Sequence, residues 1–470
     1  MSMQSKLKHQ EFSTDIIQRK RIVRQDRYFP NITKHVIKSK NNDFEVDNYS
    51  SFGIAIKSTN YSFNQTEIFS ATYFVNNQEI CEVDLKYARQ TEDGLIAFSI
   101  EGQTLSVEAI QAVEKSYQIV KQLELENSRF EKIPEIFKNK TFELKAWLEL
   151  LEKQVSAVEK NSFETTAREL EHYEEAIAQT ISQYLEQKLP DYARGIGSTI
   201  SNLNDELIKS CYEFLRYQVG HIFYKSTYGN RAYTKPRGYA GDYEMMNNVY
   251  YNDLRGTTLF AKCIQRFFTD SSAGKAVRNR ADYLANKIEI MSQKIERPKI
   301  LSVASGPARE IQKLFLEKPE FAVRCEIHLL DQDAEALKFS QRDILEICRQ
   351  KKVKPDIHFH NLAIKNIISD GLPITGFDLI YSAGLFDYFT DPVAQFAANR
   401  LYSALNNGGN LIIGNFNTNN PTQFVMEALG DWYLIYRNEE NLKELFSRVT
   451  NKLQIESEKE GINLFAVMEK

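Results

Sequence analysis

From Ile300 onward the chain repeats one pattern, a short run of strand-forming residues followed by a stretch with apolar residues at helical spacing. The runs are ILSVA, EIHLLD, DIHFHN, FDLIYSA and NLIIGNF. Strands that alternate with helices pair in parallel, because each crossover helix returns the chain to the same end of the sheet. A doubly wound α/β domain is therefore expected, with its ligand site at the carboxyl ends of the strands.

The earlier chain has two other textures. Between about 44 and 100, FGIAIK, IFSATYFV and GLIAFSI are separated by Asn, Gly and charged turns, which predicts a small antiparallel β domain. From Leu105, stretches such as ELKAWLELLEKQVSAVEK and ARELEHYEEAIAQTISQYLEQ carry apolar residues three and four apart, the spacing of amphipathic helices. They predict a helical connector or bundle, with Pro134 and Pro190 ending helices and a surface suited to a homodimer. The expected domains are 1–104, 105–225 and 226–470.

Charge narrows the function. The 470 residues hold 59 Lys and Arg against 63 Asp and Glu, a net charge of −4, which excludes a protein built to coat nucleic acid. No run reaches the length of a membrane span, and MSMQSKLKHQ has no apolar segment behind it, so a cytoplasmic protein is expected. Cys81, Cys211, Cys263, Cys325 and Cys348 are odd in number and never in CxxC spacing, as reduced thiols would be. His358 and His360 share one strand face without thiols or carboxylates in ligand spacing, so no metal is expected.

The ligand site is legible at the strand ends. ILSVA runs into SGPARE, where Gly306 permits close backbone approach to a ligand. EIHLLD ends in Asp331, 25 residues on, where a carboxylate accepts hydrogen bonds from ribose hydroxyls. Asn361 and Ser382 follow two further strands and suit an adenosine. A nicotinamide-binding domain is the competing reading, but it wants glycines where Ala304 and Ala308 stand.

Over 226–470 this constellation resembles the class I S-adenosylmethionine-dependent methyltransferases, with Ala304 and Ala308 at the outer glycine positions and Ser302 at the usual acidic one. The resemblance implies a Rossmann-like fold and S-adenosyl-L-methionine as cofactor. Ser305 and Gly306 would approach the methionine part, Asp331 the ribose and Asn361 the adenine, with Ala304, Gln332, Leu362 and Ser382 completing the set.

Upstream, YGNRAYTKPRGYAGDYEMM concentrates aromatics, basic residues and glycines. It predicts a loop over the open end of the sheet, with Lys235 and Arg237 inward and Tyr233, Tyr239 and Tyr243 as walls. KPRGYAGDYEMM, LSVASGPARE, AGLFDYF and DWYLIYR together resemble the methyltransferases of 3-hydroxypalmitic acid methyl ester (extracellular factor) biosynthesis. That implies methyl transfer to a 3-hydroxy fatty acid carboxylate, giving a quorum-sensing signal. Arg237, Tyr239 and Asp242 are the candidate catalytic residues. Arg237 has two open roles, holding either the cofactor's methionine carboxylate or the acceptor. Asp242 and Asp387 are candidate bases for a hydroxyl or amine acceptor.

Finally, RKRIVRQDR followed by NYSSFG resembles PilZ domains over 16–104. The resemblance implies a cyclic di-GMP site made of Lys20, Arg21, Arg24, Asn48, Ser50 and Gly53. A non-enzymatic cyclic di-GMP receptor with a degenerate cofactor domain is the alternative, as is a methyltransferase for another small molecule.

Overall fold

The structure, a computed structural model, describes residues 27–470 except 31–32, 41, 58–60, 65, 93 and 161–165. The chain divides into two compact units, Met1–Lys132 and Ile133–Lys470. The helical middle part expected over 105–225 is shared between them: its first helix, Val107–Glu131, belongs to the N-terminal unit and its remainder to the C-terminal one.

In the N-terminal unit six strands close into a barrel: β1 (His35–Lys38), β2 (Asp43–Ser50), β3 (Gly53–Ile56), β4 (Ile68–Val75), β5 (Gln78–Gln90) and β6 (Ile96–Glu101). Their order is β1-β2-β3-β6-β5-β4, all neighbours antiparallel, and β1 closes the ring on β4. Alternate residues point inward, so Phe44 and Val46 of β2 meet Ala71, Tyr73 and Val75 of β4 inside. Val107 and Ile110 of the following helix join the same core, and Ser106 caps that helix by accepting from the Ala109 N–H.

The C-terminal unit is built on seven strands: β7 (Lys299–Val303), β8 (Glu326–Asp331), β9 (Asp356–Asn361), β10 (Phe377–Ser382), β11 (Leu405–Phe416), β12 (Leu453–Ser457) and β13 (Asn463–Glu469). The order is β12-β13-β11-β10-β7-β8-β9. The first five are parallel and carry the five runs singled out above, while β12 and β13 add an antiparallel hairpin. Period-two alternation sends neighbouring residues to opposite cores. Ile300, Leu379, Ile412 and Phe465 pack against helices Ser272–Lys294, Arg309–Glu317 and Ala334–Lys351. Leu301, Ile380, Leu411 and Leu464 pack against helices Asp391–Ser403 and Glu439–Phe446. With both faces covered, the inner parallel strands read as near-continuous apolar runs, while the edge strand β9 is half-exposed.

From β7 the chain proceeds outward through β8 and β9, then returns to lay β10 on the other side of β7. The connections after β7 and β10 leave in opposite directions, and this reversal opens a crevice at the strand ends.

Helices Glu135–Lys160, Ala167–Gly197 and Asp205–Phe223 belong to this unit. Glu159 accepts from the Leu259 N–H at 2.9 Å, and Glu175 pairs with Arg266 of helix Leu259–Asp270. Pro190 lies inside Ala167–Gly197 rather than at its end, and Pro134 stands just before Glu135–Lys160. One missing N–H at Pro190 is tolerated because Leu185, Leu189 and Ile196 bury that helix face around it. Among the described residues no helix is long and apolar enough to cross a membrane. The five cysteines are free.

Candidate active site

Between β7 and helix Arg309–Glu317 the backbone turns through three left-handed residues, Ala304, Gly306 and Ala308, with φ of 54°, 52° and 50°. A Cβ at Gly306 would meet no protein atom within 4 Å, so within the protein it is the left-handed conformation that favours glycine there. The two alanines hold the same conformation at a cost of about 1–2 kcal/mol each. Asp331 clamps the loop: one carboxylate oxygen accepts from the Gly306 N–H at 2.8 Å and the other from the Asp333 N–H at 2.8 Å. Burial raises the Asp331 carboxyl above its ordinary range against those hydrogen bonds. The Gln332 N–H also bonds this carboxylate, which still has acceptor capacity left for a ligand hydroxyl.

A cleft of about 1760 Å³, its open mouth included, lies over these strand ends. Ala304, Ser305, Gly306, Asp331, Gln332, Leu362 and Tyr239 line it. Two expected members do not. The Asn361 amide donates to the Asp331 and Gln332 carbonyls, 3.0 Å each, and Ser382 Oγ donates to the Val303 carbonyl at 3.1 Å. Both side chains satisfy backbone at the strand ends.

The upstream segment departs further from expectation. Tyr228 and Arg231 fall within the helix Thr227–Thr234, and only 235–242 forms a loop before the helix Tyr243–Tyr251. Arg237 forks onto the Asp333 carboxylate, which also accepts from the Tyr239 hydroxyl at 2.8 Å. Burial alone would raise the Asp333 carboxyl, but hydrogen bonds from Arg237 and Tyr239 outweigh it and hold the group below its ordinary value. Arg237 is thus a latch between the loop and the start of helix Ala334–Lys351, not a cleft residue.

Asp242 is also withdrawn from the cleft. It is buried, caps Tyr243–Tyr251 through the Glu244 and Met245 N–H groups, and pairs with Arg231 at 3.0 Å. Lys235 bonds Asp431 at 2.8 Å, and Tyr233 stacks on Tyr224 with centroids 4.6 Å apart. Of the expected walls, Tyr239 and Tyr243 do line the cleft.

The far end of the cleft holds Asp387, the candidate base named above, with residues of the AGLFDYF and DWYLIYR runs beside it. Asp387 is buried, with one oxygen accepting from the Phe416 N–H at 2.7 Å, and burial pushes its carboxyl up to about 7. Tyr388 and Trp432 stand beside it, joined by a 2.9 Å bond from the indole N–H to the phenol oxygen. Glu310 accepts from the Tyr381 hydroxyl at 2.7 Å. Arg280 also lines the cleft. Its one sequence signal is a charge set within an apolar stripe, Val277, Arg280, Leu284 and Ile288, at spacings of three and four.

Two buried polar atoms on this wall, Arg280 Nε and Ser305 Oγ, find no hydrogen-bond partner in the protein. Buried polar groups are ordinarily paired, so atoms left over in a cleft suit ligand groups. The residues present therefore fit an adenosyl amino acid, with a buried acid on the loop side and free donors toward the other end.

Elsewhere, Glu326, His328 and His358 present ligand atoms within 4.8 Å of one another on β8 and β9, though His328 already bonds Glu326 and His360. In the barrel, Asn48 and Ser50 stand on β2 and Gly53 opens β3. Lys20, Arg21 and Arg24 lie outside the described residues.

No curated protein matches the chain. A possible exported protein from Bordetella parapertussis is 17% identical, over 62% of this chain and 96% of its own, with a TM-score of 0.44. A TehB-like SAM-dependent methyltransferase from Corynebacterium glutamicum is 18% identical, over 42% and 98%, with a TM-score of 0.28. Magnesium protoporphyrin IX methyltransferase from Synechocystis is 11% identical, over 42% and 87%, with a TM-score of 0.32. The family described as "Methyltransferase domain" matches residues 296–461, which span β7 to β12 and most of the cleft's floor. Residues 296–461 are accordingly a methyltransferase domain, and its cofactor is S-adenosyl-L-methionine.

Proposed function

We propose that the C-terminal unit methylates the carboxylate of an apolar acid, with a 3-hydroxy fatty acid as the favoured acceptor. The observation that carries this reading is the lining of the cleft beyond the glycine loop, where Val277, Leu385, Phe389, Trp432 and Leu434 offer an apolar wall. S-adenosyl-L-methionine supplies a methyl group on a positively charged sulfur. The acceptor oxygen forms its bond to that carbon as the carbon–sulfur bond breaks, and the bonding pair passes to sulfur. A carboxylate is already ionised at neutral pH, so no proton moves and the protein's task is to hold the two partners in line away from water. In this reading Asp331 holds the ribose, the Ala304–Gly306 backbone runs beside the methionine part, and Tyr239 closes the cleft from above.

The test is to supply methyl-labelled S-adenosyl-L-methionine with a panel of 3-hydroxy fatty acids and to detect labelled esters by mass spectrometry. Binding of S-adenosylhomocysteine without any labelled ester would remove the acceptor assignment, and turnover measured apart from binding tests the scaffold alternative.

Asp387 favours a second reading, methyl transfer to a hydroxyl or amine. Its carboxyl, pushed up to about 7 and set in the cleft wall, would serve as the base that such an acceptor needs.

For the N-terminal unit, the barrel with Asn48, Ser50 and Gly53 on one hairpin supports cyclic di-GMP as a regulatory ligand. Equilibrium dialysis with cyclic di-GMP tests it, the double substitution Arg21→Ala, Arg24→Ala being expected to abolish binding. The exposed Ile119, Val120, Leu123 and Leu125 of helix Val107–Glu131 support self-association.

A further inference from the structure

A guanidinium keeps its charge at every physiological pH, so a buried arginine needs an anion or a full set of acceptors. The other deeply buried arginines of this unit have them. Arg266 pairs with Glu175, and Arg437 donates to Asp391, Asn415 and the Phe386 and Phe389 carbonyls. Arg280 differs. It is 8% exposed and has no carboxylate partner, and its Nε, like that of Arg266, has no hydrogen-bond partner. Its immediate neighbours are uncharged, Met246 Sδ at 3.3 Å and the Tyr250 hydroxyl. Among the described residues no carboxylate comes within 4.0 Å of it.

The side chain is also aimed at the cleft. A Cβ at Gly384 would lie 2.9 Å from Arg280 Nη1 and 3.5 Å from Asp387 Oδ2, so glycine follows β10 where these two groups converge. Both line the cleft above β10, on the other side of β7 from Asp331. The carboxylates nearest in charge lie beyond that distance, Glu310 bonded to the Tyr381 hydroxyl and Asp387 with one oxygen on the Phe416 N–H. Arg280 precedes the matched region 296–461, so the family match assigns it nothing.

We propose that Arg280 is the carboxylate anchor of the cleft, its free Nε donating to one oxygen of a ligand carboxylate. The inference rests on the methyltransferase reading and adds to it the residue that recognises the anion. Two ligands bring a carboxylate here, the methionine end of the cofactor and the acid acceptor. A single charge-assisted bond fixes the group's orientation and, for an acceptor, leaves the second oxygen free to attack.

The experiment uses the full chain with Arg280→Gln and Arg280→Lys. S-adenosylhomocysteine, which has the carboxylate, and 5′-methylthioadenosine, which lacks it, are titrated calorimetrically, and KM and kcat are measured with 3-hydroxyhexadecanoate. If the cofactor's carboxylate docks on Arg280, Arg280→Gln loses about ten-fold or more in S-adenosylhomocysteine affinity while 5′-methylthioadenosine binds as before. If the acceptor's carboxylate docks there, both nucleosides bind as before while KM rises by about the same factor. In either case Arg280→Lys restores part of the loss, and Arg280→Gln leaves the melting temperature unchanged or higher, because it removes an unpaired buried charge. Unchanged nucleoside affinities together with an unchanged KM overturn the proposal. Absence of binding of both nucleosides to the unaltered chain overturns the methyltransferase reading, and the anchor with it.

Discussion

The barrel of the N-terminal unit and the open sheet of the C-terminal unit use strands to opposite ends. Six antiparallel strands that close on themselves turn one face inward, and that interior is filled by Phe44, Tyr73, Leu85, Phe98 and their neighbours. Ligand chemistry in such a unit is left to loops and the outer face. The seven-stranded sheet buries both faces under helices and presents its function at an end, because the reversal between β7 and β10 parts the connecting loops. Where a fold must open by its own topology, polar groups can be buried without partners; where it closes, they are paired inside. His35 in the barrel is held by Tyr73 at 2.8 Å and by Glu114, whereas Arg280 in the cleft leaves its Nε free.

The strongest way to break this contrast is to damage the barrel alone. Phe98→Ala removes a ring packed against Phe63 and Phe69 and is expected to destabilise the N-terminal unit by about 3–5 kcal/mol. Denaturation followed by circular dichroism should show that loss while S-adenosylhomocysteine affinity stays the same. A parallel loss of affinity would show that the two units are not independent.

Next in size is the pH response of the cleft. Asp387, raised to about 7 in the folded state, takes up a proton on folding. Its favourable contribution is therefore full below about pH 4 and is lost as pH rises through about 7. Asp387→Asn should flatten the fall in stability of the C-terminal unit between pH 5 and 8 by roughly 2–4 kcal/mol, read from urea unfolding at a series of pH values. An unchanged slope would place the titration elsewhere.

Asp331→Ala removes both the loop clamp and the proposed ribose contact, and should weaken S-adenosylhomocysteine by about 1.5–3 kcal/mol in calorimetry on folded protein. Unchanged affinity would leave Asp331 a purely structural clamp.

The smallest effect is expected at the Arg237 latch. Its partly exposed pair with Asp333 contributes about 1 kcal/mol, so Arg237→Ala should increase hydrogen exchange across 235–241 with little change in cofactor affinity. A large loss of affinity would return Arg237 to the ligand.

The inner parallel strands were legible because both their faces are apolar, and the glycine loop and Asp331 because they stand at fixed places after such strands. The edge hairpin β12–β13 was not, since half-exposed β12 lacks a continuous run and the buried run of β13 follows no helix-and-strand alternation. Pro190 misled because packing of the surrounding helix face outweighs one lost hydrogen bond. Arg237 and Asp242 sit in a segment rich in aromatics and glycines, which signalled importance without telling a latch and a cap from a ligand contact.

What the sequence by itself determined is the alternation that forces a parallel sheet, and with it the glycine loop and the acid that clamps it, since both stand at the ends of strands written in neighbouring residues. Only the tertiary structure decided which polar groups are already spent. Arg237 is neutralised by Asp333, 96 residues on, and Arg280 is left without a carboxylate by the packing of its helix against β10. Such pairing depends on which distant groups the fold brings within hydrogen-bond reach, and spacing along a chain does not encode distance across it.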